Sequence, residues 1–411
     1  MVNDKIILRE LVKTYGELAS KSGFEKKYEI HKAINDLKPI RPTVLIDELP
    51  WNQMNFDGSL TLLCQDDFLK KIEFQLRQNI YKLKYFPCDI MFENCLNIPK
   101  SINLSGFGMN IEETTKKFDS TSNITSHKYI SQFNCVEDIE KIKMPTITYD
   151  EIETKKRCDL VSDCVGDLID IRLNGMSTSY QFSYKVWDII ASYMTVDDLL
   201  INLMDEPEFM HELIQKLSDV FTSTVDQLEV QGLLDENDLY CHCSATPCSD
   251  IEKAKDPTRV TPKNMWGRGL AQILATVSPA MHDEFEVQYA NKALERYGLV
   301  YYGCCEPLDR KIDILRQIKN LRKISITPWA DFNIASEAIG SDYAISAKAN
   351  PSALCVKNIN EKAIEKELSD ILKACQKNNS PVEIILKDIS TVSNNPKSLF
   401  KWAEIAMSLV K

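Results

Sequence analysis

Apolar residues recur along this chain in two alternating rhythms, and that alternation predicts most of its architecture. Residues 4–21 and 24–37 set Ile7, Leu8, Leu11 and Leu18 at helical spacing and stop at the proline-bearing Lys38-Pro-Ile-Arg-Pro42, which predicts an N-terminal helical segment over residues 1–40. Short apolar runs of the kind that form strands buried on both faces follow at 43–48, 89–93, 167–172, 239–243, 299–304, 323–327, 343–347 and 382–386. Between them, helical spacing returns at 66–84, 180–193, 196–204, 207–231, 264–275, 279–297, 308–320, 360–377 and 396–410. Eight strands alternating with helices predict an α/β fold, a (β/α)8 TIM barrel, with residues 41–411 as a single domain. A polar, poorly periodic region near 100–160, with Ser, Thr and Asn crowded at 119–127, predicts an insertion carrying a loop or hairpin. The same pattern also allows a doubly wound open sheet.

Composition narrows the function classes. The chain has 411 residues, 44% of them hydrophobic, ample for a large core. Its 60 acidic against 49 basic residues leave a net charge of −11, which gives no broad attraction for nucleic acid or an anionic membrane surface. The N-terminal stretch lacks the apolar core of a signal peptide and no long uninterrupted apolar run occurs, so a cytoplasmic location is expected. Thirteen cysteines, an odd number, predict reduced thiols and not a disulfide framework.

In a barrel of parallel strands, the residues at the carboxyl ends of the strands line the site. Cys304, Cys305 and Glu306 end the run from Leu299 and are the strongest local signal. Alternation sends Tyr301, Gly303 and Cys305 to one face and Tyr302 and Cys304 to the other, which predicts that Cys305 faces the interior. Thiolate sulfur is a good zinc ligand, and a nearby imidazole or carboxylate would complete a tetrahedral site; packing as a small apolar residue is the plain alternative. His242, in Cys241-His-Cys243, ends the preceding strand, where neutral imidazole suits zinc and the protonated ring could serve a leaving alkoxide as acid. Asp47 and Glu48 end the first strand, and an inward carboxylate there would ligate a metal or orient a polar substrate. Glu93, Arg172 and Asp388 end other strands, with Lys387 read as the outward neighbour of Asp388. Trp51, Tyr302 and Trp329 could wall an aromatic substrate or simply pack in the core. Gly106-Phe-Gly108 lacks the third glycine of a dinucleotide fingerprint.

Several stretches together resemble the uroporphyrinogen decarboxylase superfamily: Arg41-Pro42 at the first strand, Val277-Ser-Pro-Ala-Met-His-Asp-Glu-Phe285, the Gly303-Cys-Cys-Glu306 ending, Pro328-Trp-Ala-Asp331 and Ala347-Lys-Ala-Asn-Pro351. The resemblance covers the chain after residue 38 and implies a (β/α)8 fold of that type. It implies either porphyrinogen decarboxylation or methyl exchange with corrinoid proteins. The decarboxylases carry an Arg-Gln-Ala-Gly-Arg type motif after the first strand; here Asp47-Glu48-Leu-Pro-Trp51 stands there, and its carboxylates would repel a polyacidic tetrapyrrole. The thiol-directed corrinoid methyltransferases hold zinc through a His-x-Cys pair and a later Cys; in register this chain has Gly303, Cys305 and Asp388. The departure implies the branch that moves a methyl group from a small O-methyl donor, such as a methoxylated aromatic, to the reduced corrinoid of a partner protein.

On that reading Glu48, His242 and Glu306 are the catalytic candidates. Asp47, Trp51, Glu93, Arg172, Tyr302 and Trp329 would surround the substrate, and His242, Cys305 and Asp388 would ligate zinc if it is bound. The partner is a corrinoid protein, and a homodimer is compatible with the sequence. Two alternatives are a decarboxylase or lyase of the same superfamily acting on a small acid, and a non-catalytic barrel that binds a tetrapyrrole or corrinoid.

Overall fold

Six parallel strands form the central sheet of the computed structural model, which describes residues 2–117, 125–178 and 182–411. They are β1 (Thr43–Ile46), β2 (Trp266–Gly269), β3 (Leu299–Tyr302), β4 (Leu321–Ile326), β5 (Ala344–Ala349) and β6 (Val382–Leu386), in the spatial order β1-β6-β5-β4-β3-β2. Helices make the crossovers. Glu361–Lys377, between β5 and β6, buries the stripe Ile364, Leu368, Ile371 and Cys375 that its spacing predicts.

Five of these strands coincide with expected ones, and the sixth corrects the sequence reading. β2 lies inside 264–275, expected to be helical; Trp266-Gly-Arg-Gly269 is short, and its central Arg268 interrupts the apolar run that would mark a buried strand. The expected strand at 89–93 is irregular, although the Asp89 amide donates to the Val44 carbonyl (2.9 Å). The expected strand at 239–243 is instead a small antiparallel pairing of Tyr240–Cys241 with Ser244–Ala245. Asp170–Asn174 pairs in parallel with Cys95–Pro99, a strand the pattern did not predict. A continuous ring of eight paired strands is thus not present among the described residues. The architecture is mixed α/β around a six-stranded parallel sheet, extended at one edge by Asp89 and at the other by the Tyr184 amide, which donates to Arg268 O (2.8 Å).

The expected insertion carries two antiparallel pairings, Ser101–Leu104 with Ile147–Asp150 and Glu113–Lys117 with Thr125–Tyr129. Most of the Ser/Thr/Asn stretch lies outside the described residues. The expected helix at 308–320 contracts to Ile312–Leu315, and the one at 279–297 contains a π turn over Asp283–Val287. Among the described residues, no helix is long and apolar enough to cross a membrane.

The N-terminal segment forms α1 (Val2–Ser20) and α2 (Phe24–Asn35). α2 closes the end at which the strands begin. His31 Nε2 lies 2.8 Å from Asp89 O, and Asn35 Nδ2 donates to Ala245 O and Pro247 O. Arg41 pairs through both guanidinium nitrogens with Asp89 (2.7 and 3.0 Å), which also accepts the Val44 amide.

Strand alternation divides the sheet into unlike faces. Ile324, Ile326, Ile345, Ala347, Ile384 and Leu386 point one way, into the apolar clusters under the helices. Arg268, Lys323, Ser325, Ser346, Lys348 and Glu383 point the other way and are almost fully buried. Charges persist in such a place only when paired or hydrogen-bonded. Lys323 lies 3.2 Å from Glu383 and donates to Ser244 Oγ and Ala245 O. Lys348 donates to Ser346 Oγ (2.6 Å), Tyr301 OH (3.0 Å) and Cys243 Sγ (3.5 Å). The 240–245 segment therefore lies against the polar face.

Candidate active site

Four chain segments turn at the finishing end of this polar face: after β1, at 241–243, after β3 and after β6. Each turn uses a left-handed residue: Glu48 (φ 51°), His242 (φ 58°), Gly303 (φ 98°) and Asp388 (φ 54°). For a residue with a side chain this conformation costs about 1–2 kcal/mol. Three such residues together mark a place where packing holds the backbone in an unfavourable region. At Gly303 a Cβ would also sit 2.6 Å from the end of the Leu308 side chain, so a side chain there would force that neighbour to shift.

The turns bring together Glu48, His242, Cys304, Cys305, Lys387 and Asp388. The Lys387 ammonium is central: it lies 2.8 Å from Asp388 Oδ2, 3.6 Å from Glu48 Oε2 and 3.6 Å from Cys304 Sγ. His242 Nε2 is 3.5 Å from Glu48 Oε1, and its ring also hydrogen-bonds Cys304. The two sulfurs are 3.8 Å apart, and Cys305 directs its thiol to Asp388 (3.4 Å). The Asp388 amide donates to Glu48 Oε2 (3.2 Å). The side chains of Glu48 and Asp388 are 36% and 50% exposed, so the cluster faces solvent.

These contacts spread the acidities apart. Burial, followed by hydrogen bonding with Asp388, pushes Glu48 up to about 7. Asp388 is held low because its contacts to Glu48 and Lys387 outweigh its burial. The bond from Cys305, then His242 and the cations Arg268 and Lys387, favour the Cys304 thiolate; Cys305, beside that sulfur and partly buried, keeps its proton. Burial favours the neutral His242 ring. An acid, a thiolate and a permanent cation thus share one small opening.

The expected zinc set is only partly assembled. Cys305 and Asp388 meet, but His242 faces Glu48 and Cys304, and the Lys387 ammonium fills the space between the donors. Among the described residues, no group of three or more His, Cys, Asp or Glu side chains is arranged to hold a metal ion. As arranged, these donors fit an ammonium and not a zinc ion.

Other expected site residues lie elsewhere or act indirectly. Glu306 is buried, and its carboxylate accepts the amides of Cys304 (2.9 Å) and Ala271 (3.0 Å), so it holds the Cys304 turn without facing the opening. Asp47 lies 3.6 Å from Lys82. Trp51 packs edge-on to Tyr81 and Phe74, on the helix Asp67–Tyr85. Tyr302 is on the opposite face of β3, where its hydroxyl meets His282 (3.0 Å) and Glu286 (3.2 Å), so it is no wall of this site. Glu93 and Arg172 pair at 3.2 Å beside a separate cavity of about 370 Å³ that none of the cluster residues lines. Trp329 follows β4 and is 68% exposed.

Two central residues were misread from sequence. Cys304, expected to face away, is the more buried thiol and the one beside Lys387, because the left-handed turn at Gly303 breaks strand alternation. Lys387, expected to point outward, is 3% exposed. Its signal was available: Glu383 and Ile385 on β6 and Lys387 just after it fall at every second position, and polar residues alternate likewise in Lys323-Ile-Ser325 and Ser346-Ala-Lys348.

No protein-family model matches the chain, and no curated protein does. Among solved structures, a methyltransferase from Methanosarcina mazei is similar at a TM-score of 0.48 and 10% sequence identity, over 92% of this chain and 96% of that one. A likeness at that level carries no argument about chemistry, which rests on the side chains.

Proposed function

We propose that this chain is a methyltransferase that takes a small O-methyl compound, in particular a methoxylated aromatic, and yields its methyl group to the reduced corrinoid of a partner protein. The sequence resemblance supports the reaction class. A closed barrel of the uroporphyrinogen decarboxylase type is the finer fold that goes with it, the edge contacts of Asp89 and Tyr184 being the places where the wall would continue. Glu48 carries the chemical part of the reading. An alkoxide or phenolate leaves poorly unless its oxygen is protonated or held by a positive charge. Glu48, poised near 7 at a solvent-facing opening, can hold the proton, and neutral His242 at 3.5 Å orients the carboxyl. Lys387 stabilises negative charge developing on the departing oxygen. The corrinoid, when present, supplies the nucleophile.

The test is to mix the protein with a reduced corrinoid protein and a panel of methoxylated aromatics and to follow cobalt methylation by absorbance. Methylation that depends on Glu48 is expected; no methylation across the panel overturns the proposal. The Cys304 thiolate favours a second reading, in which Cys304 is itself the nucleophile and no partner is needed. A substrate-derived mass on Cys304 without any corrinoid protein would select it.

A further inference from the structure

The two adjacent thiols differ in a way the methyl-transfer reading does not use. Cys304 Sγ faces the Lys387 ammonium at 3.6 Å and is hydrogen-bonded by His242, an electropositive setting that makes sulfur a nucleophile. Cys305 Sγ, 3.8 Å away, points its proton at Asp388. Cys304 is buried and Cys305 half-buried beside the exposed Asp388 carboxylate, so only a small reagent reaches the pair. We propose that Cys304 and Cys305 form a modification site for hydrogen peroxide, closing to a vicinal disulfide.

The Cys304 sulfur attacks one peroxide oxygen, the O–O bond breaks, and the other oxygen leaves as hydroxide and is protonated to water. Cys304 becomes a sulfenic acid, oxidised by two electrons as the peroxide is reduced. The Cys305 sulfur then attacks the Cys304 sulfur; the S–O bond breaks and hydroxide leaves with the Cys305 proton as a second water. Two thiols and one peroxide give one disulfide and two waters. Neighbouring residues can close only a small strained ring, so the bond is readily reduced and the modification is reversible.

The functional consequence rests on the methyl-transfer reading. The disulfide removes the anionic sulfur beside Lys387, leaving that cation to Glu48 and Asp388; this favours ionised Glu48 and withdraws the acid. The structural test does not depend on that reading. Reduced protein is treated with hydrogen peroxide and then unfolded in urea, remaining thiols are alkylated, and the peptides are weighed. The peptide with both cysteines should lose two hydrogens and resist alkylation while the exposed Cys135 and Cys355 still react, and a thiol reductant should restore it. Cys305→Ser should stop at a sulfenic acid on Cys304, trapped by dimedone as the protein is unfolded, and Lys387→Met should slow oxidation roughly tenfold. Oxidation of Cys135 or Cys355 first, with Cys304 and Cys305 still open to alkylation, overturns the site. Turnover lost and regained with the disulfide supports the switch, and turnover indifferent to it overturns the switch. If no methyl transfer occurs at all, the peptide masses still decide whether the disulfide forms.

Discussion

The two ends of the polar face use the same residue types in opposite ways. Toward the end where the strands begin, two pairs set one cation against one carboxylate: Arg41 grips Asp89 through two bonds, and Lys323 meets Glu383 at 3.2 Å. At the finishing end one ammonium, Lys387, serves Glu48, Asp388 and Cys304 together. A one-to-one pair fixes both charges. One cation among three acidic groups leaves their protonation states in competition, so a proton can be moved there at modest cost. Partner count, more than burial or residue type, separates the two ends.

The strongest way to break that distinction is Glu383→Ala. Removing one member of a buried pair leaves Lys323 uncompensated, and a loss of about 3–5 kcal/mol is expected by urea unfolding. Replacing both partners together, Lys323→Met with Glu383→Leu, should recover most of it. A loss below about 1 kcal/mol in the single variant would show that the pair does not hold the structure. Glu48→Gln should do the reverse: turnover falls about 100-fold or more while the urea midpoint holds, because the amide keeps the shape and loses the transferable proton. A large stability loss with turnover intact would move Glu48 into the structural group.

The pH dependence sharpens the same contrast. Glu48 is raised from an ordinary 4.5 to about 7, and Glu306, chiefly through burial, also to about 7. Between those values the folded protein binds protons that the unfolded chain has released. Their contribution to stability is therefore full below 4.5 and disappears as the pH rises through about 7. Turnover that needs protonated Glu48 should be flat below about 7 and decline above it. Glu48→Gln should erase that decline in the residual rate while leaving the Glu306 part of the stability trend. An unchanged alkaline limb would assign it to another group.

Much of the sheet was legible because five of its six strands keep apolar side chains along at least one face. β3 to β6 and β1 announce themselves in this way, while β2 does not, since Arg268 and two glycines interrupt it. The strand-end residues Glu48, His242, Cys305 and Asp388 could be named from sequence because strand ends are where parallel sheets expose side chains. Their partners could not. Lys387 looks like a solvated lysine until the opposing carboxylates and thiol are in place, and Cys304 faces the cluster only because Gly303 turns left-handed. Glu93 and Arg172 also end runs that look like strands, yet they meet each other beside another cavity, a distinction set by tertiary position and invisible in local pattern.

The smallest expected effect falls on Trp329, and it tests whether the reactive end extends beyond the charged cluster. Its ring is 68% exposed just after β4, so Trp329→Ala removes little buried surface and should change stability by no more than about 0.5 kcal/mol. An exposed ring that walls an aromatic substrate is an element of binding and not of the chemical step. The variant should therefore raise KM severalfold and leave kcat unchanged. If both constants stay put, the aromatic wall is wrong and the substrate is held by Glu48, Lys387 and Asp388 alone, which would favour a small polar methyl donor over a methoxylated ring.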